Sequence, residues 1–233
     1  EAVDMLEASL TADQNAIRGR LKIAVSNTFG ELHMGDIVRV FCALHPEVTV
    51  DLHHSDRYVD LVEEGFDLAV RIGELSDSSM IAKKVGMTEM WAVASSTFME
   101  KHGPFRTPED LQNAPAIRDA NLRAGAFWPF FVDGRMKRIA INPQITVNSA
   151  RTSVRLAIDG VGIAHEPTFV VAPMVADGRL VRLVPAYPSL SLDINVIFPD
   201  NRHLPTKSRK MIDHIAAEVA ARGDWSDASY GRV

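Results

Sequence analysis

The sequence predicts an α/β protein built around a largely parallel sheet. Short apolar runs alternate with longer segments in which apolar residues recur every three or four positions, a pattern typical of strands followed by helices. Glycine, proline and small polar residues separate these segments. The first elements follow the order β-α-β-α-β, and this alternation pairs strands in parallel through crossover helices.

The first half of the chain begins with a helical pattern over residues 1–17. No N-cap precedes it, so we expect the end of a longer helix, with a trimmed terminus as the alternative. The run "LKIAV" at 21–25 predicts the first strand. Further strands are predicted at 48–55, 66–73 and 89–95, and helices at 31–44 and 57–65, the latter ended by Gly65.

The second half opens with a predicted helix at 107–114, capped by Thr107. A hairpin is expected over 125–141 because an Asp-Gly turn separates two strand-like runs. The other predicted strands are 116–119, 145–148, 161–167, 180–185 and 192–199, and the other helices are 149–160, 168–178 and 205–222, before a flexible tail at 223–233.

The bulk composition excludes several classes of protein. The 233 residues are 46% hydrophobic and 24% charged, as in globular proteins, and no apolar run approaches the ~20 residues of a membrane helix. No signal peptide is visible, so a cytoplasmic protein is expected, although a processed protein would look the same. The net charge of −5 argues against DNA binding by this chain alone, because such binding needs phosphate neutralisation. The single cysteine, Cys42, is expected to be a small buried hydrophobe.

Three junctions between a strand and a following helix carry short polar side chains. In a parallel sheet these junctions bring strand ends together with the N–H groups and positive dipoles of helix starts, which suits a small anion or polar ligand. Each junction alone could equally be a helix cap. Junctions in both halves of the chain could face each other across a cleft, so together they favour a ligand pocket. Their residues are Ser26, Asn27 and Thr28; Ser55, Asp56 and Arg57; and Asn148, Ser149, Arg151 and Thr152.

No metal site, cofactor site or catalytic centre is predicted. His53 and His54 are neighbours on a strand and therefore point to opposite faces, and no zinc-binding histidine spacing occurs. The phosphate-binding glycine motifs and G-x-S-x-G are absent. His165 and Glu166 lie at a predicted strand end and could contact a ligand, with a plain hydrogen-bonded pair as the alternative. We therefore expect no enzymatic activity.

Four segments, in this order and spacing, resemble the effector-binding domain of LysR-type transcriptional regulators. They are "GRLKIAVSNTFGELHM", "HPEVTVDLHHSDRYVDLVEEGFDLAVRIG", "RLAIDGVGIAHEP" and "FPDNRHLPTKSRKMIDHIA". The resemblance implies two Rossmann-like α/β lobes joined by two crossover strands, a fold like that of type II periplasmic binding proteins. Lobe one would comprise 19–94 with 193–222, lobe two 95–192, and residues 1–18 the end of a linker helix.

The resemblance also implies an effector site between the lobes. Arg57, Arg118 and Arg151 suggest that the effector could be an anion. The residues that match the family's ligand loops are Ser26, Asn27, Thr28, Ser55, Asp56, Arg57, Ile72, Gly73, Asn148, Ser149 and Thr152, and His165 is added from its position at a strand end.

The predicted function is therefore that of an allosteric sensor. A small metabolite would bias the angle between the lobes, and it can do so only through its difference in affinity for the two states. The family resemblance implies a homodimer of effector domains, a tetramer of the full-length protein, and DNA binding by an N-terminal winged helix-turn-helix absent from this chain. Two alternatives stay open: a solute-binding protein of a transporter, and a small enzyme for which His165 with Glu166 is the candidate pair.

Overall fold

The computed structural model describes residues 17–57, 59–73, 75, 80–122, 125–200 and 204–223. The strands are β1 (Gly19–Val25), β2 (Val48–His54), β3 (Leu68–Ile72), β4 (Met80–Ala94), β5 (Pro115–Asp119), β6 (Phe127–Val132), β7 (Arg135–Ala140), β8 (Asn142–Val147), β9 (Ala164–Pro167), β10 (Val181–Arg182) and β11 (Ser191–Pro199). The helices are α1 (Asn27–Phe29), α2 (Gly35–Leu44), α3 (Ser96–His102), α4 (Ala150–Ile158), α5 (Thr168–Ala176) and α6 (Thr206–Ala221), with a π-helical segment at Gly30–Met34 and a 3-10 helix at Pro108–Asn113.

The described residues form two α/β units. Unit one contains the chain up to Gly86 together with Ile194–Arg222, and unit two contains Met87–Asp193. The chain changes unit once inside β4 and once inside β11, so two strands join the units, as in the predicted fold class. The sequence predicts that lobe one ends at residue 94, because it predicts a separate strand over 89–95 and no long strand before it. The structure has a single strand of 15 residues there, and the units divide within it.

The sheet of unit one places β1 between two parallel neighbours. Its strand order is β11-β3-β1-β2, and β1 pairs in parallel with β2 and with β3, whereas β11 pairs antiparallel with β3. One face, which carries Ala24 and Ala69, packs against Val59, Leu61 and Phe66 of the connection between β2 and β3. On the other face of β1, the alternate residues Leu21, Ile23 and Val25 are fully buried.

A continuous helical stretch follows β1 and contains one widened turn. The backbone remains right-handed and helical through Phe29, Gly30, Met34 and Gly35, and residues 30–34 form π-helical turns. The fully buried residues are Phe29, Met34, Ile37 and Phe41. The first two are five positions apart, and an i to i+5 turn keeps them on the same side as the later pair. The π-helical segment thus allows all four residues to lie on one buried face, although the first two are five positions apart.

Unit two is built on the second part of β4, which pairs antiparallel with β9 and β10. β5 pairs in parallel with β8, and a parallel bridge between Ala116 and Ile163 connects it to the chain entering β9. The predicted hairpin is present as β6 and β7, and its turn residues Asp133 and Gly134 have φ angles of 50° and 73°. These left-handed values match a tight hairpin turn of the Asp-Gly type. The larger core residues of this unit include Phe98, Leu111, Trp128, Phe130 and Ile163.

The predicted helix over residues 57–65 is wrong, since residues 61–65 form turns. The Asp60 carboxylate accepts hydrogen bonds from the N–H groups of Val62 at 2.9 Å and Glu63 at 3.0 Å. Such a side chain competes with the backbone acceptors that a helix would use. Gly65, with a φ of 67°, then ends the turn.

Other expectations fall outside the described residues. The helix predicted over residues 1–17 and the tail predicted over 223–233 lie almost entirely in the parts of the chain that the structure leaves undescribed. In the described part, no helix is long and apolar enough to cross a membrane.

Replacing Gly30 with alanine is expected to destabilise unit one. A Cβ atom at this position would lie 2.8 Å from Val25 Cγ1 and 2.8 Å from His54 Nδ1, so the buried valine or the helix must shift. Overpacking of this kind costs about 1–3 kcal/mol, and thermal or urea unfolding would measure it.

The matched control is Gly35→Ala. No atom lies within 4 Å of a Cβ placed there, so this helical substitution should leave stability unchanged or raise it by up to about 1 kcal/mol. Equal effects of the two substitutions would contradict the close packing of Gly30.

Candidate functional site

The parallel pairing of β1 brings three polar loops to one edge of the unit-one sheet. Val25 at the end of β1 lies opposite His54 of β2 and Val70 of β3. The N–H of Ser26 donates to Val70 O at 3.3 Å, and the N–H of Ser55 donates to Val25 O at 2.9 Å. The residues that follow the three strands therefore form a row. We call the unit-one cluster the residues Ser26, Asn27, Thr28, Ser55, Asp56, Arg57 and Arg71.

A two-point hydrogen bond holds the first two loops of the cluster together. The backbone N–H of Asn27 donates to Asp56 Oδ1 at 2.9 Å, and its side-chain Nδ2 donates to Asp56 Oδ2 at 2.8 Å. Both carboxylate oxygens of Asp56 thus accept hydrogen bonds from Asn27. These two residues fix the relative position of the loops after β1 and β2.

The hydroxyl groups of Ser26 and Thr28 are not used to cap the helix that follows them. Ser26 occupies the N-cap position of α1 but makes no side-chain cap hydrogen bond. Neither hydroxyl hydrogen-bonds to another described protein group, and both residues are partly exposed. The alternative of a simple cap therefore does not describe this junction. The two hydroxyl groups therefore remain available to hydrogen-bond a ligand.

Arg57 is engaged by a neighbouring carboxylate. Its Nη1 and Nη2 atoms donate to Glu64 Oε1 at 2.8 Å and Glu64 Oε2 at 2.5 Å. This hydrogen-bonded pair raises the pKa of Arg57 and lowers the pKa of Glu64. Its N–H also donates to Ser55 Oγ at 3.2 Å. The guanidinium of Arg57 therefore stabilises the loop after β2.

Arg71, the last but one residue of β3, was missed by the sequence reasoning. Its Nη1 donates to Ser55 O at 2.6 Å and its Nη2 donates to Arg57 O at 3.2 Å. Because β1 lies between β3 and β2, the side chain must pass across the end of β1, where Ser26 lies. The signal in the sequence was a charged residue inside the apolar run "FDLAVRIG", directly before the predicted strand end.

The guanidinium of Arg71 forms no ion pair with the described residues. No carboxylate oxygen of the described residues lies within ion-pair distance of its guanidinium. Burial lowers the pKa of Arg71, the charge of Asp56 opposes that decrease, and the charge of Arg57 adds to it. Two of its five N–H donors are used by carbonyl oxygens, so donors remain for an anionic group.

Ile72 and Gly73 complete the predicted residues of unit one. Ile72 lies opposite Ile194 of β11, and Gly73 has a φ of 89°, a left-handed conformation that glycine adopts without strain. Both are partly exposed and directly follow Arg71. Their contact with an effector stays a prediction.

The predicted residues of unit two lie at the start of α4. Ser149 is the helix cap, since its Oγ accepts the N–H of Thr152 at 3.3 Å. The carbonyl of Asn148 accepts a hydrogen bond from Asn121 Nδ2 at 2.9 Å, which ties the loop after β8 to the loop after β5. Asn148 and Thr152 are exposed. Here a capping role is observed, and effector binding stays a prediction.

His165 points into the core of unit two. It is 3% exposed, between the rings of Trp128 at 5.3 Å and Phe130 at 5.6 Å. Ser189 Oγ donates to Pro129 O at 2.6 Å, so its oxygen accepts from His165 Nε2 at 2.8 Å, which assigns the proton to Nε2. Burial lowers the pKa of His165 to about 3, and the ring is neutral at physiological pH.

The described residues offer no obvious place for a metal ion. Within the ranges that the structure covers, no group of three or more His, Cys, Asp or Glu side chains is arranged to hold one.

His165 is expected to make the protein sensitive to acid. The unfolded chain takes up a proton near the ordinary histidine value of 6.5, but the folded core excludes that proton until about pH 3. The free energy of unfolding should therefore fall as pH decreases from 6.5, by about 1.4 kcal/mol per pH unit from this group.

Urea unfolding of the parent chain and of His165→Leu between pH 7.5 and 4.5 measures this contribution. The difference between the two free energies of unfolding should shrink, or favour the variant, as pH falls. A constant difference over this range would show that folding leaves the pKa of His165 unchanged, which contradicts its burial as a neutral ring.

Comparison with known proteins gives consistent matches. A sequence model of the family described as the LysR substrate binding domain matches residues 14–220. An uncharacterized HTH-type transcriptional regulator of Haemophilus influenzae is 32% identical over 205 residues, which cover 88% of this chain and 71% of that protein. The HTH-type transcriptional regulator PtxR of Pseudomonas aeruginosa is 30% identical over 197 residues, covering 84% and 63%. The chain thus spans about two thirds of the length of these relatives.

Solved structures agree with these matches in fold. The regulatory domain of AphB from Vibrio vulnificus superposes with a TM-score of 0.69 at 25% identity, covering 86% of this chain and 98% of that domain. The regulatory domain of CrgA, a LysR-type transcriptional regulator from Neisseria meningitidis, gives a TM-score of 0.77 at 23% identity, with 87% and 99% covered. The fold class predicted from the sequence, like that of type II periplasmic binding proteins, is confirmed.

Proposed function

The chain belongs to the LysR substrate binding domain family, and we propose that it recognises its effector through the unit-one cluster. Curated relatives are transcriptional regulators, so the chain is the effector-binding domain of a LysR-type regulator. The alternative of a transporter's solute-binding protein has no support among these relatives. Their function as regulators also fits the expectation that the chain is not an enzyme.

The observation that carries the proposal is the half-buried guanidinium of Arg71, which bonds only carbonyl oxygens of the loop after β2. A cation taken partly out of water gains most from a charged partner, and carbonyl oxygens compensate it only in part. Ser26 lies in the same row of strand-end residues, and Thr28 follows in the first turn of α1. A carboxylate or similar anion would bind two remaining guanidinium N–H groups and accept from a hydroxyl. The sequence also suggested an anionic effector, but on the basis of Arg57, Arg118 and Arg151. The proposal assigns the anion to Arg71 instead.

The effector would act through the rest of a longer regulator. We infer that a DNA-binding domain lies outside this chain, because its net charge of −5 provides no excess of cations for phosphate. Effector domains would pair as homodimers and the full-length protein would form tetramers, as the family resemblance implies. Effector binding would change this assembly by as much as its affinity differs between the two states.

A thermal-shift screen of small metabolites tests the placement of the site. For any compound that stabilises the parent chain, Arg71→Met and Thr28→Ala should weaken binding at least tenfold, since each removes a group that contacts the ligand. Titration calorimetry on the confirmed compound gives the affinities.

Two substitutions serve as controls for charge and hydroxyl removal. Arg39→Met removes an exposed arginine of α2, and Thr97→Ala removes an exposed hydroxyl of α3. Both should bind the compound like the parent chain. Unchanged affinity in Arg71→Met and Thr28→Ala would place the effector elsewhere.

A further inference from the structure

A polar side chain interrupts the apolar core of β11. Asn195 lies between Ile194 and Val196, which are both fully buried. Asparagine is depleted in strands, because its side chain packs poorly on a pleated, half-buried surface. Packing therefore does not account for an asparagine at this position.

The pairing of β11 with β3 sets Asn195 beside Arg71, within unit one. In the antiparallel register Asn195 lies opposite Arg71, and Ile197 lies opposite Ala69. Residues opposite each other in such a pair project from the same face, with Cβ atoms about 4.5–5.5 Å apart. Ala69 and Ile197 pack on the apolar cluster of that face. Because side chains alternate along a strand, Arg71 and Asn195 share this face, two residues nearer the polar loops.

The carboxamide of Asn195 makes no hydrogen bond to a described residue. It offers two donors and an acceptor oxygen, and such groups are unfavourable when they are largely withdrawn from water without partners. The residue is 8% exposed and its amide atoms are not fully enclosed, so a small molecule can reach them. A polar group in this state indicates a partner other than the protein.

The spacing of the strands sets the distance between the two polar groups. The guanidinium of Arg71 crosses the end of β1 to reach the carbonyl oxygens of Ser55 and Arg57, and therefore points away from β11. Because β11 and β1 lie on either side of β3, they are two strand spacings, or about 10 Å, apart. Once the reach of the asparagine side chain is subtracted, a ligand that contacts both groups needs polar ends roughly 5–7 Å apart.

We propose that Asn195 is a specificity-determining residue of the effector site. It would select carboxylates that carry an uncharged hydrogen-bonding group at the other end of a short chain. This inference rests on the proposed function, in which Arg71 binds the anion. A carboxamide both donates and accepts hydrogen bonds and has no charge, which suits a hydroxyl or an amide of the effector.

Rejection of other acids follows from the same geometry. A plain carboxylate of similar length would cover the carboxamide of Asn195 with methylene groups and leave its donors and acceptor unpaired. Sites built to hydrogen-bond a polar group discriminate against analogues that lack this group for that reason. Asn195 would thus act on the choice of effector, whereas Arg71 would supply the attraction for any small carboxylate.

Three five-carbon acids test the proposal: pentanoate, 5-hydroxypentanoate and 2-hydroxypentanoate. Pentanoate lacks the second group, and 2-hydroxypentanoate carries the same hydroxyl beside its carboxylate, too close to reach Asn195. Titration calorimetry should show that 5-hydroxypentanoate binds about two- to tenfold more tightly than either of the others, as expected for one net hydrogen bond. Equal affinities of the three acids would overturn the proposal.

Asn195→Leu should remove this preference by weakening the binding of 5-hydroxypentanoate to the level of pentanoate. Asn142→Leu, which removes an exposed asparagine from β8 of unit two, is the matched control and should keep the preference. A purely structural role of Asn195 would change the unfolding midpoint but not the ratio of the affinities. A preference that survives in Asn195→Leu contradicts the proposal.

Asn195→Asp provides a second test that keeps the shape of the side chain. The introduced carboxylate should repel the bound acid and weaken the binding of all three compounds. It should also be tolerated better beside Arg71, so it should lower the thermal midpoint less in the parent chain than in the Arg71→Met background. Equal decreases in the two backgrounds would show that the side chains are not coupled, and would overturn the proposal without any ligand.

Arg71→Met separates this inference from the proposed function. It should weaken the binding of all three acids by a similar factor. Unchanged affinities in Arg71→Met, or no binding of any acid to the parent chain, would contradict the proposed function and with it the role of Asn195. Weaker binding in Arg71→Met together with an unchanged preference in Asn195→Leu would contradict the role of Asn195 alone.

Discussion

The parallel pairing of β1 with a strand on each side is the constraint on which the polar loops of unit one depend. Because Val25 is aligned with both His54 and Val70, the next residue of each chain reaches the same level at the edge of the sheet. A shift of one residue in either pairing would turn alternate side chains to the opposite face and separate Arg71 from the loop it holds. The hydrogen bonds of Asn27 and Arg71 are therefore consequences of the register, and they in turn keep the loops in place.

The two units bury ionisable groups in different ways. Unit one places a cation, Arg71, among backbone carbonyl oxygens, and unit two buries the carboxyl group of Glu166. Burial and the charge of Asp119 raise the pKa of Glu166, which favours its neutral form, whereas an arginine keeps its charge. Arg71 lies near the carboxyl end of β3, where parallel sheets generally bind their ligands. This location favours a role of Arg71 in recognition over a role in stability.

Much of the fold could be predicted from the sequence, because periodicity and turn residues report local structure directly. The hairpin at Asp133 and the strand at 21–25 are examples. The segment 57–65 could not be predicted, since a single side chain, Asp60, competes with the helix for backbone N–H groups. At the candidate site, the polar junctions were visible in the sequence. The importance of Arg71 was not, because it depends on which strand lies between β3 and β2, and the burial of His165 depends on tertiary packing.

The π-helical segment at Gly30–Met34 has a consequence for how this part of the chain can change in evolution. Each residue added to an α-helix rotates everything beyond it by about 100°, which would carry Ile37 and Phe41 away from the sheet. A widened turn absorbs one extra residue locally, so the helix on either side keeps its orientation. A homologue with one residue fewer between β1 and α2 could thus close this turn into a regular helix without moving its core side chains. Length variation at this point is therefore compatible with an unchanged fold, although the close packing at Gly30, the first residue of the widened turn, leaves no room for a side chain there.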